Sequence, residues 1–295
     1  VGGRQELEKA ILIRNLTKRY KDVCAVENLN LSVESGEIFG FLGPNGAGKT
    51  TTIRALTGLT KPTSGSISVC GLDVATEPEK VKRVIGVVQQ HLTFDLDLNL
   101  RENLVLHAKM QHMPPDERRQ RIDELLDFAG LTKQSERLVE ELSGGMKKAA
   151  MIARALLHKP CVLFLDEPTV GLDVQVRRRM WDLIRGLRRS GTTIFLTTHY
   201  IEEAEALCQR VGIVNQGHLI ALGSPSELRA AVGLVTVETV TEDESTRYEH
   251  FAERQAAIRY IESLPSSVKA AVRDSNLEDV FVKLTGKKVG VESVA

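Results

Sequence analysis

Aromatic residues are scarce in this sequence, 4% of 295 positions with a single Trp, so a core drawn from its 42% hydrophobic content must pack aliphatic side chains. There is no excess of one charge. Lys+Arg and Asp+Glu both total 39 and the pI is near 7.2, which argues against a nucleic-acid partner, since such binders carry a basic domain or stripe. No uninterrupted apolar run approaches the roughly 18 residues of a membrane helix. No signal peptide is visible, and the sequence opens Val1-Gly2-Gly3 without Met, so membrane segments outside this stretch stay open. Cys24, Cys70, Cys161 and Cys208 form no C-x-x-C and no metal-like group with histidines. They read as reduced small hydrophobes of a cytosolic protein. Internal repeats and low-complexity stretches are also missing, and the length fits one large or two modest domains.

What is present is concentrated in Gly43-Pro44-Asn45-Gly46-Ala47-Gly48-Lys49-Thr50-Thr51, after the apolar run Ile38-Phe39-Gly40-Phe41-Leu42 and before a helix-like segment. Strand, glycine-rich turn and helix form the context in which G-x-x-x-x-G-K-[ST] cradles phosphates. Glycines let backbone N–H groups turn inward, and the helix N-terminus adds partial positive charge. Lys49 is expected on the β- and γ-phosphates and the Thr50 hydroxyl at a Mg²⁺ position. A nucleoside triphosphate is therefore the expected ligand.

The remaining pattern places this loop in an alternating fold. Ile11 to Arg14, Val23 to Val26 and Leu29 to Val33 read as short strands of an antiparallel layer. Strands are also expected at Ser66 to Cys70, Ile85 to Val88, Cys161 to Leu165, Thr192 to Leu196 and Arg210 to Asn215. Helices fall between them at Glu77 to Val84, Val174 to Arg189 and Ile201 to Leu207, which predicts a mostly parallel sheet covered on both faces. Residues 91 to 142 read as a helical insertion, with Asn99 and Glu102 as a capping box and Pro114-Pro115 as its break. Gln216-Gly217-His218 reads as a hairpin turn and Ser224 to Val232 as a closing helix. Beyond Gly233 follow a strand (Val235 to Val240), a polar loop (Thr241 to Thr246), a helix (Glu249 to Ser263) and a last helix capped by Ser275 with Glu278. About 60 residues is marginal for an independent core, so this tail is expected to lean on the main domain or on a second subunit.

Two more groups carry chemistry. Asp166 and Glu167 end a buried strand, where open α/β sheets bind ligands. Asp166 would hold Mg²⁺ and Glu167 would polarise the attacking water. His199 follows Leu196-Thr197-Thr198 at another strand end, within reach of the γ-phosphate. Ser143 in Leu142-Ser143-Gly144-Gly145-Met146-Lys147 is a good N-cap for the helix from Met146 to Leu156, a second N-terminus offered to an anion. The arginines 177–179, 185, 188 and 189 read as a solvated helix face.

Taken in order, these motifs resemble the ATP-binding cassette (ABC) ATPases, over about Leu12 to Leu228. The resemblance implies an α/β P-loop NTPase with a mostly parallel core sheet, an N-terminal antiparallel β layer, a helical insertion and a small α+β C-terminal extension. It divides the chain into an ATPase domain, 1–232, holding a helical subdomain at about 91–160, and an extension, 233–295. It makes Tyr20 the adenine-stacking residue, with Val26 also at the nucleotide, and Gly43 to Thr51 the Walker A loop. Gln90 becomes the Q-loop glutamine, joining Thr50 and Asp166 at the metal. Glu167, His199 and Lys49 become the catalytic set, and Asp173 belongs to the D-loop. Ser143, Gly144 and Gly145 become a signature acting on the ATP of the other subunit. Met146 replaces the usual signature Gln, and Val170 takes a D-loop position often filled by Ser or Ala. The implied cofactors are ATP and Mg²⁺. The implied partners are a second ATPase subunit in an ATP-dependent head-to-tail homodimer and an integral membrane permease, with no nucleic acid. The implied location is cytoplasmic, peripheral on the inner face of the cell membrane. The C-terminal stretch Leu277 to Gly286 resembles that of ABC-2-type, drug-resistance-like exporters. The competing reading is a soluble ABC ATPase acting on nucleic acid or ribosomes. A small-molecule P-loop kinase leaves Ser143-Gly144-Gly145 and His199 unexplained.

Overall fold

Residues 9–240, 245–265 and 267–286 are described by the structure, a computed structural model. Alternating apolar residues build a long N-terminal hairpin, β1 (Lys9–Tyr20) and β2 (Val23–Glu34), buried on one face by Ile11, Ile13, Leu29, Leu31 and Val33. These are two twelve-residue strands and not the three short ones expected. Asn15 and Asn28 adopt positive φ (49° and 47°) where the register of the pair shifts, and the strands continue past them as bulges.

The phosphate-loop strand β3 (Ile38–Leu42) leads into α1 (Lys49–Leu56). Then come β4 (Ser64–Val69), β5 (Leu72–Asp73), α2 (Pro78–Val84) and β6 (Ile85–Val88). The insertion expected at 91–142 is helical, with α3 (Leu100–Met110), opened by the Asn99/Glu102 capping box, and α4 (Pro115–Phe128), and the helix expected behind Ser143 follows as α5 (Gly144–Ala155). Alternation resumes with β7 (Val162–Asp166), α6 (Val174–Arg189), β8 (Thr193–Thr198), α7 (Ile201–Leu207), β9 (Arg210–Asn215), β10 (His218–Gly223) and α8 (Pro225–Val232). Gln216 and Gly217 turn between β9 and β10 at φ 48° and 83°, the left-handed pair that two-residue hairpins need.

The core sheet runs β10-β9-β3-β8-β7-β6, parallel except for β10. Because side chains alternate along a strand, its two faces separate cleanly. Ile38, Leu42, Leu163, Leu165, Ile194 and Leu196 pack toward the helices. Phe39, Phe41, Phe164 and Phe195 pack toward the antiparallel sheet β2-β1-β4-β5 and α1. The Phe195 ring lies 5.5, 5.6 and 5.8 Å from those of Phe39, Phe41 and Phe164, so half of the eight phenylalanines form one cluster around it. This arrangement aligns the C-terminal ends of β3, β7 and β8 along one edge.

The tail differs most from expectation. Residues 249–251, expected to start a helix, pair with β11 (Val235–Val240) as part of β12 (Thr246–Phe251), and α9 is only Arg254–Glu262. An unexpected strand, β13 (Lys269–Asp274), joins the other side of β11. The last helix, α10 (Leu277–Thr285), is capped by Asn276 with Asp279, one residue beyond the expected Ser275/Glu278 pair. Residues 241–244 of the expected polar loop lie outside the described residues. The tail does lean on the main domain: Leu277, Val280 and Phe281 are buried in its core, Leu277 N–H donates to Glu205 at 3.0 Å, and Lys283 Nζ donates to Val232 O at 3.1 Å.

The cysteines also depart from expectation. Cys70, just after β4, and Cys161, just before β7, are joined in a disulfide, whereas Cys24 and Cys208 are free. Their separation of 91 residues hid the pair, because only the stacking of the two sheets brings these strand ends together.

Candidate functional site

The loop after β3 is fixed from both sides. Gly43 N–H donates to Thr198 O at 3.2 Å, and Ala47 O accepts from Gly217 N–H at 3.1 Å, so β8 and the β9–β10 turn brace it. Gly48 caps α1 at φ 103°, and a Cβ there would run into the Ala25 carbonyl. No other residue type fits that position without shifting β2. The turn throws Lys49 inward, where it is 5% exposed. Its ammonium donates to Gly43 O (2.8 Å) and Pro44 O (3.0 Å) and pairs with Glu167 Oε1 at 3.2 Å. Burial pushes its pKa down, and the Glu167 and Asp166 carboxylates oppose that shift.

The other half of the site comes from the ends of β7 and β8. Asp166 accepts from Thr197 Oγ1 at 2.6 Å and from Thr50 Oγ1 at 3.2 Å. Glu167 N–H donates to Thr197 O at 3.1 Å, and Glu167 itself takes positive φ (49°). That backbone turn, unfavourable for a side chain with a Cβ, aims its carboxylate at both Lys49 and His199. His199 Nδ1 lies 3.2 Å from Glu167 Oε1. Thr197 was not singled out in the sequence, although two threonines before a histidine at a strand end were the available signal.

A cavity of about 380 Å³ opens between these groups, lined by Ala25, Asn45, Gly46, Gly48, Lys49, Thr50, Thr51, Gln90 and Glu167. Among the described residues Lys49 is its one cation. Gly43, Pro44 and Ala47 back the loop. Val26 is buried behind Gly48, and its neighbour Ala25 is the residue that lines the cavity. Tyr20 ends β1 outside this lining, 42% exposed, with the Lys18 ammonium 4.7 Å above its ring.

Gln90 is tethered from the signature helix: Lys148 Nζ donates to Gln90 O at 2.8 Å. Arg154, further along α5, donates to Thr93 O and Thr93 Oγ1 and stands over the Phe94 ring at 4.6 Å. Neither cation was singled out in the sequence, since nothing local marks a lysine that reaches another segment. Ser143 caps α5 by accepting from Met146 N–H at 3.3 Å, as expected. With Gly145 and Met146 it borders a different cavity of about 670 Å³ between α4, α5 and α6. Gly145 lies so close to Val176 that a Cβ would overlap it. Asp173 caps α6 through Val176 N–H at 2.9 Å. Ser143, Gly144 and Asp173 are exposed and Gly145 is half-buried, and none of the four lines the Lys49 cavity of the same chain.

A parallel sheet that presents a phosphate loop, two carboxylates and a histidine along one edge defines a P-loop ATPase. The family described as ABC transporter matches residues 26–170. The chain is similar to the Nod factor export ATP-binding protein I of Burkholderia thailandensis, 41% identical over 94% of this chain and 97% of that protein. The Nod factor export ATP-binding protein I of Ralstonia nicotianae is 38% identical, with 94% of each chain covered. Among solved structures, an ATP-binding subunit of an ABC transporter superposes with TM-score 0.71 at 26% identity, covering 94% of this chain and 99% of that one. A dimeric ATP-binding cassette in a post-hydrolysis state bound to ADP and Pi gives 0.66 at 29% identity, covering 72% and 98%. The chain belongs to the ABC transporter family. It is an ATP-binding, ATP-hydrolysing transporter subunit.

Proposed function

We propose that two copies of this chain close head to tail over ATP, hydrolyse it, and so drive an export permease in the membrane. The reading rests on the convergence of Lys49, Thr50, Asp166, Glu167 and His199 through contacts no longer than 3.2 Å. In it, the loop from Gly43 to Thr51 holds the phosphates, Lys49 faces the β- and γ-phosphates, and Tyr20 stacks on adenine beside the Val26 segment. Glu167 polarises the attacking water and His199 orients it. Ser143, Gly144 and Gly145 complete the partner's site, with Asp173 at the junction.

Mg²⁺ fits the donors present. Asp166 and Thr50 offer oxygen only, and among the described residues no group of three or more His, Cys, Asp or Glu is placed to hold a metal. That suits an ion bound through one or two carboxylates plus substrate phosphates, with Gln90 reaching the same position. Bound there, Mg²⁺ would neutralise charge on the β- and γ-oxygens.

The ATPase domain is assigned to residues 1–232, its helical subdomain to about 91–160, and the extension to 233–295. Export is taken from the names of the relatives and from the exporter-like last helix. In this reading the subunit works at the cytoplasmic face as a peripheral protein, held there by its permease; among the described residues no helix is long and apolar enough to cross a membrane. The test is affinity purification of the tagged full chain from detergent-extracted membranes of its native host. A multispan membrane protein that co-purifies and changes the ATPase rate is expected. Recovery with ribosomes or nucleic acid instead would overturn the transport reading.

A further inference from the structure

One buried carboxylate is left unused by this chemistry. Glu203, on α7, is 0% exposed, and its Oε1 accepts from Thr169 Oγ1 at 2.7 Å and from the Trp181 indole N–H at 3.2 Å. Its Oε2 is buried without a hydrogen bond of normal geometry, and the Thr198 hydroxyl and the Arg177 guanidinium are the further groups that favour its charged form against the cost of burial. Burial is the largest influence on this carboxylate and outweighs these partners, so an apolar side chain would fill the same space at less cost. Its position offers a reason. Thr169 stands two residues after Glu167 and four before Asp173, Trp181 is on the helix that Asp173 caps, and α7 starts two residues after His199. One side chain therefore ties together the three segments that present Glu167, Asp173 and His199.

We propose that Glu203 is a positioning residue for hydrolysis. It pins the Glu167–Asp173 loop against α6 and α7, so that Glu167 keeps its 3.2 Å contacts with Lys49 and His199. The inference rests on the assignment of Glu167 as the base. A shift of about 1 Å in such a group costs on the order of 10²-fold in rate, while nucleotide affinity depends on a loop that Glu203 does not touch.

The experiment is steady-state ATP hydrolysis by the full chain, with Trp181, the only tryptophan, as an internal fluorescence reporter. Glu203→Ala is expected to lower kcat by about 10- to 100-fold with KM for ATP within about threefold. Glu203→Gln keeps an oxygen for both donors and is expected to recover most of kcat. Thr169→Val, which removes one donor and little volume, should lower kcat several-fold with KM unchanged, and it carries the test should Glu203→Ala fail to fold. Wild-type kcat in Glu203→Ala with unaltered Trp181 emission, or in Thr169→Val, overturns the proposal. So does a Gln variant no better than Ala. Glu167→Gln is assayed in parallel: wild-type turnover there removes the base assignment itself, whereas its loss beside a wild-type Glu203→Ala removes only the positioning role.

Discussion

Lys49 is the residue on which nucleotide affinity turns. Among the described residues it is the one cation lining its cavity, and its ammonium is already satisfied by two carbonyls and Glu167. A hydrogen bond to a charged group contributes about 1.5–3 kcal/mol, so Lys49→Ala should weaken ATP binding by at least roughly ten- to a hundredfold and abolish turnover. Affinity close to wild type, measured by calorimetry, would refute the phosphate-cradle assignment. Gly48→Ala should be a folding defect first: at φ 103° with the Ala25 carbonyl in the way, it is expected to lower the thermal midpoint before any effect on binding. An unchanged midpoint would mean that β2 yields there freely. The loop, Glu167 and His199 were readable because each lies in a local pattern with its own chemistry. Thr197, Lys148 and Glu203 were not, because their roles depend on partners 31, 58 and 34 residues away that only the folded sheet brings near.

Among the elements, those with both a cap and a period were found where expected: α3 behind Asn99, α6 behind Asp173, α8 behind Ser224. The strands of the core sheet were readable for a similar reason, since burial on both faces leaves continuous apolar runs. The tail was not, because β12 and β13 are half-wet edge strands whose identity comes from pairing with β11 and not from their own sequence. Yet α10 settles how the tail is held. Phe281 is 2% exposed within the main core, so Phe281→Ala should cost about 3–5 kcal/mol, the range for a buried aromatic truncated to Ala. Denaturant melts should show that loss while ATP affinity in the surviving folded fraction stays the same. A loss under about 1 kcal/mol would mean that the tail is not docked through this helix.

At the scale of the whole molecule the two halves of the chemistry face different ways. Ser143 and Gly145 border the cavity beside α6, while Lys49 and Glu167 border the other, and the proposed reading therefore needs a second chain to complete each site. Ser143→Arg should accordingly leave ATP binding by the monomer nearly intact and suppress hydrolysis, and an equal collapse of both would rule out a composite site. Glu167→Gln discriminates most. It preserves volume and hydrogen bonding but removes the carboxylate proposed to polarise water, a role typically worth about 10²–10⁴ in rate. It leaves Lys49, Thr50 and Asp166 in place, so ATP should still enter. It also removes a negative charge beside the γ-phosphate, and the 3.2 Å ion pair that holds Lys49 back against Glu167, both of which favour the ATP-bound closed state. In the proposed ATP-bridged interface, a subunit that binds without hydrolysing should accumulate as a dimer. With ATP and Mg²⁺, the variant should move from monomer to dimer on size-exclusion chromatography, and chelating the metal should reduce that shift. Wild type should reopen as it turns over. A variant that stays monomeric at saturating ATP excludes ATP-driven closure for this chain, and one that hydrolyses at the wild-type rate moves the base away from Glu167, with His199 the nearest group able to take its place.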